Sequence, residues 1–103
     1  MSKTKDIEQL TNILAKALRH KIGSIVNENE FYAGKYAKDA EMLMKEAEKV
    51  LVKHSWNNEE KLAIRNKLRR KLNTELEKKD FLHEQKFVIM ESEMEKALKE
   101  LLW

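Results

Sequence analysis

The chain has 103 residues, with 21 Lys+Arg against 18 Asp+Glu, no cysteine and no proline. That length holds one domain, residues 1–103, rather than two. The missing thiols exclude disulfides, thiolate metal sites and cysteine nucleophiles. Two glycines, Gly23 and Gly34, are too few for a turn-rich β protein or a glycine-rich phosphate loop. Hydrophobic residues make up 42% of the chain, enough for a compact core. The longest apolar run, Phe87-Val88-Ile89-Met90, falls far short of the ~20 residues of a membrane span. Residues Met1 to Asp6 lead into an amphipathic pattern without a signal-peptide core. A soluble cytoplasmic protein is the expectation.

The first helical pattern covers residues 4–27, where Ile7, Leu10, Leu14, Leu18, Ile22 and Ile25 recur in steps of three and four. Thr4 or Asp6 can cap it. The polar stretch Asn27-Glu28-Asn29-Glu30 marks a turn. The second covers residues 30–54, with Tyr32, Ala33, Tyr36, Ala37, Ala40, Leu43, Met44, Ala47, Val50 and Leu51 inside one sector about 140° wide. The alanines of this stripe permit close approach of a neighbouring helix.

A break at His54-Ser55-Trp56-Asn57-Asn58 precedes the third helix. Asn57 as N-cap places Glu60 at the third helical position, a variant of the capping box. Ile64, Leu68, Leu72 and Leu76 then recur every four residues to about Lys79. Asp80 can cap a fourth helix from Phe81 to about Leu102. With no Pro or Gly between them, the third and fourth could also be continuous.

Four segments of roughly 22 residues, each about 33 Å long, predict an all-α fold: an antiparallel up-down-up-down four-helix bundle. Charge alternates along the chain. Residues 1–27 carry a net +3, 28–54 carry −1, 55–79 carry +4 and 80–103 carry −3. Sequential neighbours of opposite sign are expected to pair at their rims, which biases orientation more than it adds stability.

No metal or cofactor is expected. Carboxylate di-iron bundles need Glu-x-x-His, whereas Ala17, Leu51 and Asp80 stand three residues before His20, His54 and His83. The segment Leu18-Arg19-His20-Lys21-Ile22-Gly23-Ser24-Ile25 resembles the phosphoacceptor segment of two-helix dimerisation domains in sensor kinases. It departs from them at Lys21, where an acid is usual, and in lacking the later proline. His20 is therefore read as a solvent-facing side chain. Trp56, Glu59-Glu60, Arg65, Leu68-Arg69-Arg70 and Leu72 are similar to part of the C-terminal helical region of type I restriction motor subunits, with a different Trp-to-Arg spacing. No function is carried over from either resemblance.

The densest charge feature is Lys61 to Lys71, with six basic residues in eleven positions and no acid. Such a helix can neutralise phosphates, with Lys67, Arg70, Lys71 and Lys78 as the candidate contacts. Arg65 and Arg69 fall on the core sector instead. They are expected to pair inside with Glu46, Glu48, Glu91 or Glu95. No aromatic residue interleaves the run, so single-strand stacking is unsupported.

Catalysis is not expected, since the acidic residues lie mostly on polar faces where carboxylates stay ordinary. Tyr32 and Tyr36 read as core aromatics. Helix four carries a main stripe of Phe87, Met90, Met94, Ala97, Leu98 and Leu101, and a second of Phe81, Leu82, Val88, Ile89 and Trp103. A helix apolar on two sides needs two partners, so the second stripe is the expected partner interface. The sequence-level reading is a non-enzymatic bundle acting through protein contacts, as a homodimer or a subunit of a complex. The alternative is a nucleic-acid-associated module using the basic helix.

Overall fold

Helices form where the 3.6-residue period is strongest. The computed structural model describes residues 3–26, 30–77 and 86–101. They form α1 (Lys3–Val26), α2 (Glu30–Leu51), α3 (Asn58–Glu77) and α4 (Lys86–Leu101). The predicted cap of α3 is present as a reciprocal pair. Asn57 Oδ1 accepts from the Glu60 backbone N–H at 2.8 Å, and Glu60 Oε1 accepts from the Asn57 N–H at 2.9 Å. Two orphan donors are satisfied together, which sets where the helix starts. The Asp80 cap and the 79–81 boundary lie outside the described residues.

Cross-helix contacts give the direction of each element. Gly23 on α1 faces Tyr36 on α2, and Asp6 near the start of α1 meets His54 just past the end of α2, so the two are antiparallel. The pairs Lys3–Glu60, Glu8–Lys67 and Arg19–Glu75 ascend together, so α3 runs parallel to α1. Arg65–Glu95 and Arg69–Glu91 ascend in opposite senses, so α4 is antiparallel to α3. The fold is the expected up-down-up-down four-helix bundle. α3 and α4 run in opposite senses and are therefore separate helices.

The hub is α1, which packs on α2, α3 and α4; α3 also packs on α4, while α2 packs extensively on α1 alone. Leucines four apart explain that hierarchy. Leu10, Leu14, Leu18 and Ile22 of α1 and Ile64, Leu68, Leu72 and Leu76 of α3 are all fully buried. Met90, Met94 and Leu98 of α4 and Ala47, Val50 and Leu51 of α2 join them in one core cluster. Each such side chain contributes on the order of 1.5–3 kcal/mol. Thr11 is buried among them because its hydroxyl donates to the Ile7 carbonyl at 2.8 Å.

The α1–α2 contact combines small residues with Val50 and Leu51 at the end of α2. Ala40 and Ala47 are buried, and a Cβ on Gly23 would stand 3.2 Å from the Tyr36 ring. A larger residue there would press on the Tyr36 ring, which would have to yield by a few tenths of an ångström. The stripe of α2 is wider than α1 can cover, however. Ala37 is exposed, Ala33, Tyr36, Leu43 and Met44 are half-buried, and Ile25 opposite is 49% exposed. Leu62 is likewise outside the core. The Tyr32 and Phe87 side chains lie outside the described residues.

The 52–57 connection is clamped onto the start of α1. Trp56 Nε1 donates to the Leu51 carbonyl at 2.9 Å. Lys3 Nζ donates to the Ser55 carbonyl at 2.7 Å and sits over the indole at 5.6 Å. This clamp seats α3 beside α1.

Candidate functional site

Two grooves flank the hub helix. The first lies between α2 and α4 with α1 as its floor, and encloses about 420 Å³. Ala17, Leu18, Ala37, Ala40, Met44 and Ala97 make its lining apolar and shallow-sided. Its rim is acidic, with Glu41, Glu48 and Glu100 against Lys21. This groove exists because α2 and α4 each pack on α1 without packing extensively on each other.

The second groove, about 450 Å³, runs between the parallel helices α1 and α3. Lys16 and Asn12 come from α1, and Lys67, Arg70, Lys71 and Thr74 from α3, over an Ala15 floor. Here the basic helix divides by face. Lys67 and Lys71 both pair with Glu8, and Lys71 Nζ also donates to Asn12 Oδ1 at 2.6 Å. Arg65 pairs with Glu95, and Arg69 holds Glu91 through two hydrogen bonds of 2.9 and 3.2 Å. Four of the six basic side chains are thus committed within the chain. Arg70 is exposed, with no acidic partner among the described residues. Lys78 lies outside them.

Charge pairing follows the expectation in its partners and differs in its position. Arg65 and Arg69 take Glu95 and Glu91, the α4 acids among the four expected, because α2 does not pack extensively on α3. They sit at the rim rather than inside, with Arg69 and Glu91 side chains 38% and 47% exposed. Rim pairs contribute about 0–1 kcal/mol each. No ion pair joins α1 to α2 among the described residues, because their contact is built from alanine, glycine, Val50, Leu51 and the Tyr36 ring.

The perturbed carboxylates all have basic or hydrogen-bonding neighbours. Lys67 and then Lys71 hold Glu8 down at about 2. A hydrogen bond from His54 lowers Asp6, and the Asn57 backbone with Lys3 lowers Glu60. Glu93 is the buried exception, its side chain 7% exposed. Burial pushes its carboxyl up, and Lys21 and Lys96 more than offset this, leaving it below its ordinary value. The periodicity of α4 places Glu93 beside Met90 and Met94, and the sequence reading missed it. The signal available was an acid at a core position with Lys three residues later.

His20 is half-buried, not solvent-facing: its ring lies 5.8 Å from Tyr36 and its Nε2 is 3.3 Å from the Arg19 guanidinium. His83 lies outside the described residues, as do three of the expected interface residues, Phe81, Leu82 and Trp103. Of the other two, Val88 is 74% exposed and Ile89 packs on the edge of the core. Of the groove-lining residues, Ala37 and Ala97 were expected in the core stripes of α2 and α4, whereas Lys16 and Asn12 escaped notice because they stand outside the stripe of α1. The lining residues meet only through the order of helices around α1.

Among the described residues no His, Asp and Glu side chains group in a way that could hold a metal ion. No described helix is long and apolar enough to cross a membrane. Comparison with protein-family models, with curated proteins and with solved structures finds no match.

Proposed function

We propose that this chain is a non-enzymatic contact module that receives an amphipathic helix of a second protein in the groove between α2 and α4. The observation that carries the reading is Ala37, exposed on a helix face otherwise built for burial. A fifth helix laid over α1 would cover it together with Met44 and Ile25. Helix-in-groove recognition uses this geometry, with apolar residues of the ligand at i, i+3, i+4 and i+7. The acidic rim of Glu41, Glu48 and Glu100 favours a helix with basic flanks. Contact rather than catalysis also fits Asp6, Glu8, Glu60 and Glu93, whose lowered carboxyls stay charged at neutral pH and are weak proton acceptors.

The test is a pair of synthetic helical peptides with the same leucine stripe, one flanked by lysine and one by glutamate. The lysine peptide should perturb amide resonances at Ala37, Ala40, Met44 and Ala97, and the glutamate peptide should do so more weakly. Ala37→Glu should remove the effect without unfolding the chain, since the position is exposed. Perturbation that persists in Ala37→Glu would overturn the reading. A dimer in light scattering that Val88→Glu dissociates would assign the contact to α4 and a second copy instead.

A further inference from the structure

We infer that the groove between α1 and α3 is a binding site for a small anion carrying two or three linked phosphate groups. Its cations come from both walls, Lys16 from α1 and Lys67, Arg70 and Lys71 from α3. An anion lying between the helices therefore meets positive charge on two sides. Two acids stand close by, and each is already engaged. Glu8 is shared by Lys67 and Lys71, and Glu75 on the groove wall is held by Arg19 at 3.4 Å. Counting those partners, Lys16, Arg19, Lys67, Arg70 and Lys71 face Glu8 and Glu75, which leaves three net positive charges for a ligand. That balance matches a short phosphate chain better than a single phosphate.

Donors remain to be used. Among the described residues the Arg70 guanidinium has no acceptor for its fork of N–H groups, and Lys16 has no ion-pair partner. Lys67 makes one contact with Glu8, which leaves two of its three ammonium protons free. Arg70 suits phosphate because its fork can bind two oxygens at once. Lys71 plays a different part. Its three contacts, to the Glu8 carbonyl, the Glu8 carboxylate and Asn12, fix its head at the groove wall. Ala15, buried at the floor, keeps the groove deep by presenting only a methyl group. At about 450 Å³ the groove is of small-ligand size. Duplex nucleic acid fits less well: four of the six basic side chains of residues 61–71 are paired within the chain, and those of α3 that face α4 already carry its acids.

The experiment is calorimetric titration of the intact chain with inorganic tripolyphosphate, at low and at moderate salt, with orthophosphate and duplex DNA as comparison arms. Saturable one-to-one binding of tripolyphosphate is expected, tighter than orthophosphate. Arg70→Ala and Lys16→Ala should each weaken it by about tenfold. Both positions are exposed, so thermal melts should match the wild type. Lys38→Ala, on the exposed face of α2, should bind as the wild type does. An absence of saturable heat would overturn the inference, as would affinity that ignores Arg70 and Lys16. Duplex DNA binding more tightly than tripolyphosphate, with a steep salt dependence spread over many lysines, would assign the basic face to nucleic acid.

Discussion

The two grooves beside α1 have similar volumes and opposite chemistry, and the difference follows from how each partner helix contacts the hub. Against α2, α1 presents Gly23 and the α2 side presents Ala40 and Ala47 above Val50 and Leu51, so the helices approach closely and no ion pair joins them among the described residues. Against α3, both helices carry leucine spines, and lysines at the margin reach across to Glu8. Close approach leaves apolar width to spare on α2. Wider packing leaves a cleft that long basic side chains line. The same bundle therefore offers an apolar, acidic-rimmed groove on one side and a cationic one on the other.

Damage to the shared hub should disable both grooves at once. Leu14 is fully buried on α1, between Ala15 of the basic groove and Ala17 of the apolar one. Leu14→Ala should cost about 2–5 kcal/mol. For a domain of this size that is a large share of total stability. Helix-peptide and tripolyphosphate binding should then fail together as the variant melts, as followed by far-UV circular dichroism. Loss of one with retention of the other would show that the grooves do not share a foundation.

A smaller effect sharpens the apolar side. Glu93 is buried on α4 and its charge is balanced by Lys21 and Lys96, whose own side chains are 48% and 65% exposed. Replacing a buried ion with a well-packed hydrophobe is often neutral or stabilising. The lysine heads released by Glu93→Met remain in water, so no buried charge is orphaned. The variant should gain about 1 kcal/mol, about 4–8 °C in midpoint for a domain of this size. A marked loss would mean that the Lys21–Glu93 pair fixes the α1–α4 register.

Much of this architecture could be read from the residues. Leucines at four-residue intervals in α1 and α3 placed the core, and the Asn57–Glu60 pair placed the start of α3. Lateral order was hidden, because periodicity gives the direction in which a helix is buried and not the helix that buries it. The α2 stripe shows this. Its ten apolar positions were all expected to be covered, yet with α1 as its extensive partner Ala37 stays open. Pairing of Arg69 with Glu91 was within reach of charge arithmetic, whereas its rim position depends on the crossing of α3 and α4. The basic groove was half visible, since Lys67, Arg70 and Lys71 stand in sequence while Lys16 joins them only through the parallel course of α1 and α3.

The smallest expected change bears on the cationic side and separates its two roles for lysine. Glu8 has its carboxyl drawn from an ordinary 4.5 to about 2 by Lys67 and Lys71. A folded value below the unfolded one means that its contribution to stability is complete above about pH 4.5 and is lost as the pH falls toward 2. In Glu8→Gln the acid limb of the stability profile should therefore flatten across that window, read by denaturant melts at successive pH values. At neutral pH the same substitution removes the anion that competes with a phosphate ligand and releases the heads of Lys67 and Lys71. One fewer negative charge a few ångströms away, screened by water, should tighten binding about fivefold. Tripolyphosphate should accordingly bind Glu8→Gln more tightly than wild type by about that factor. Unchanged affinity would mean that Lys67 and Lys71 serve only to hold α3 against α1, leaving Arg70 and Lys16 as the whole of the site.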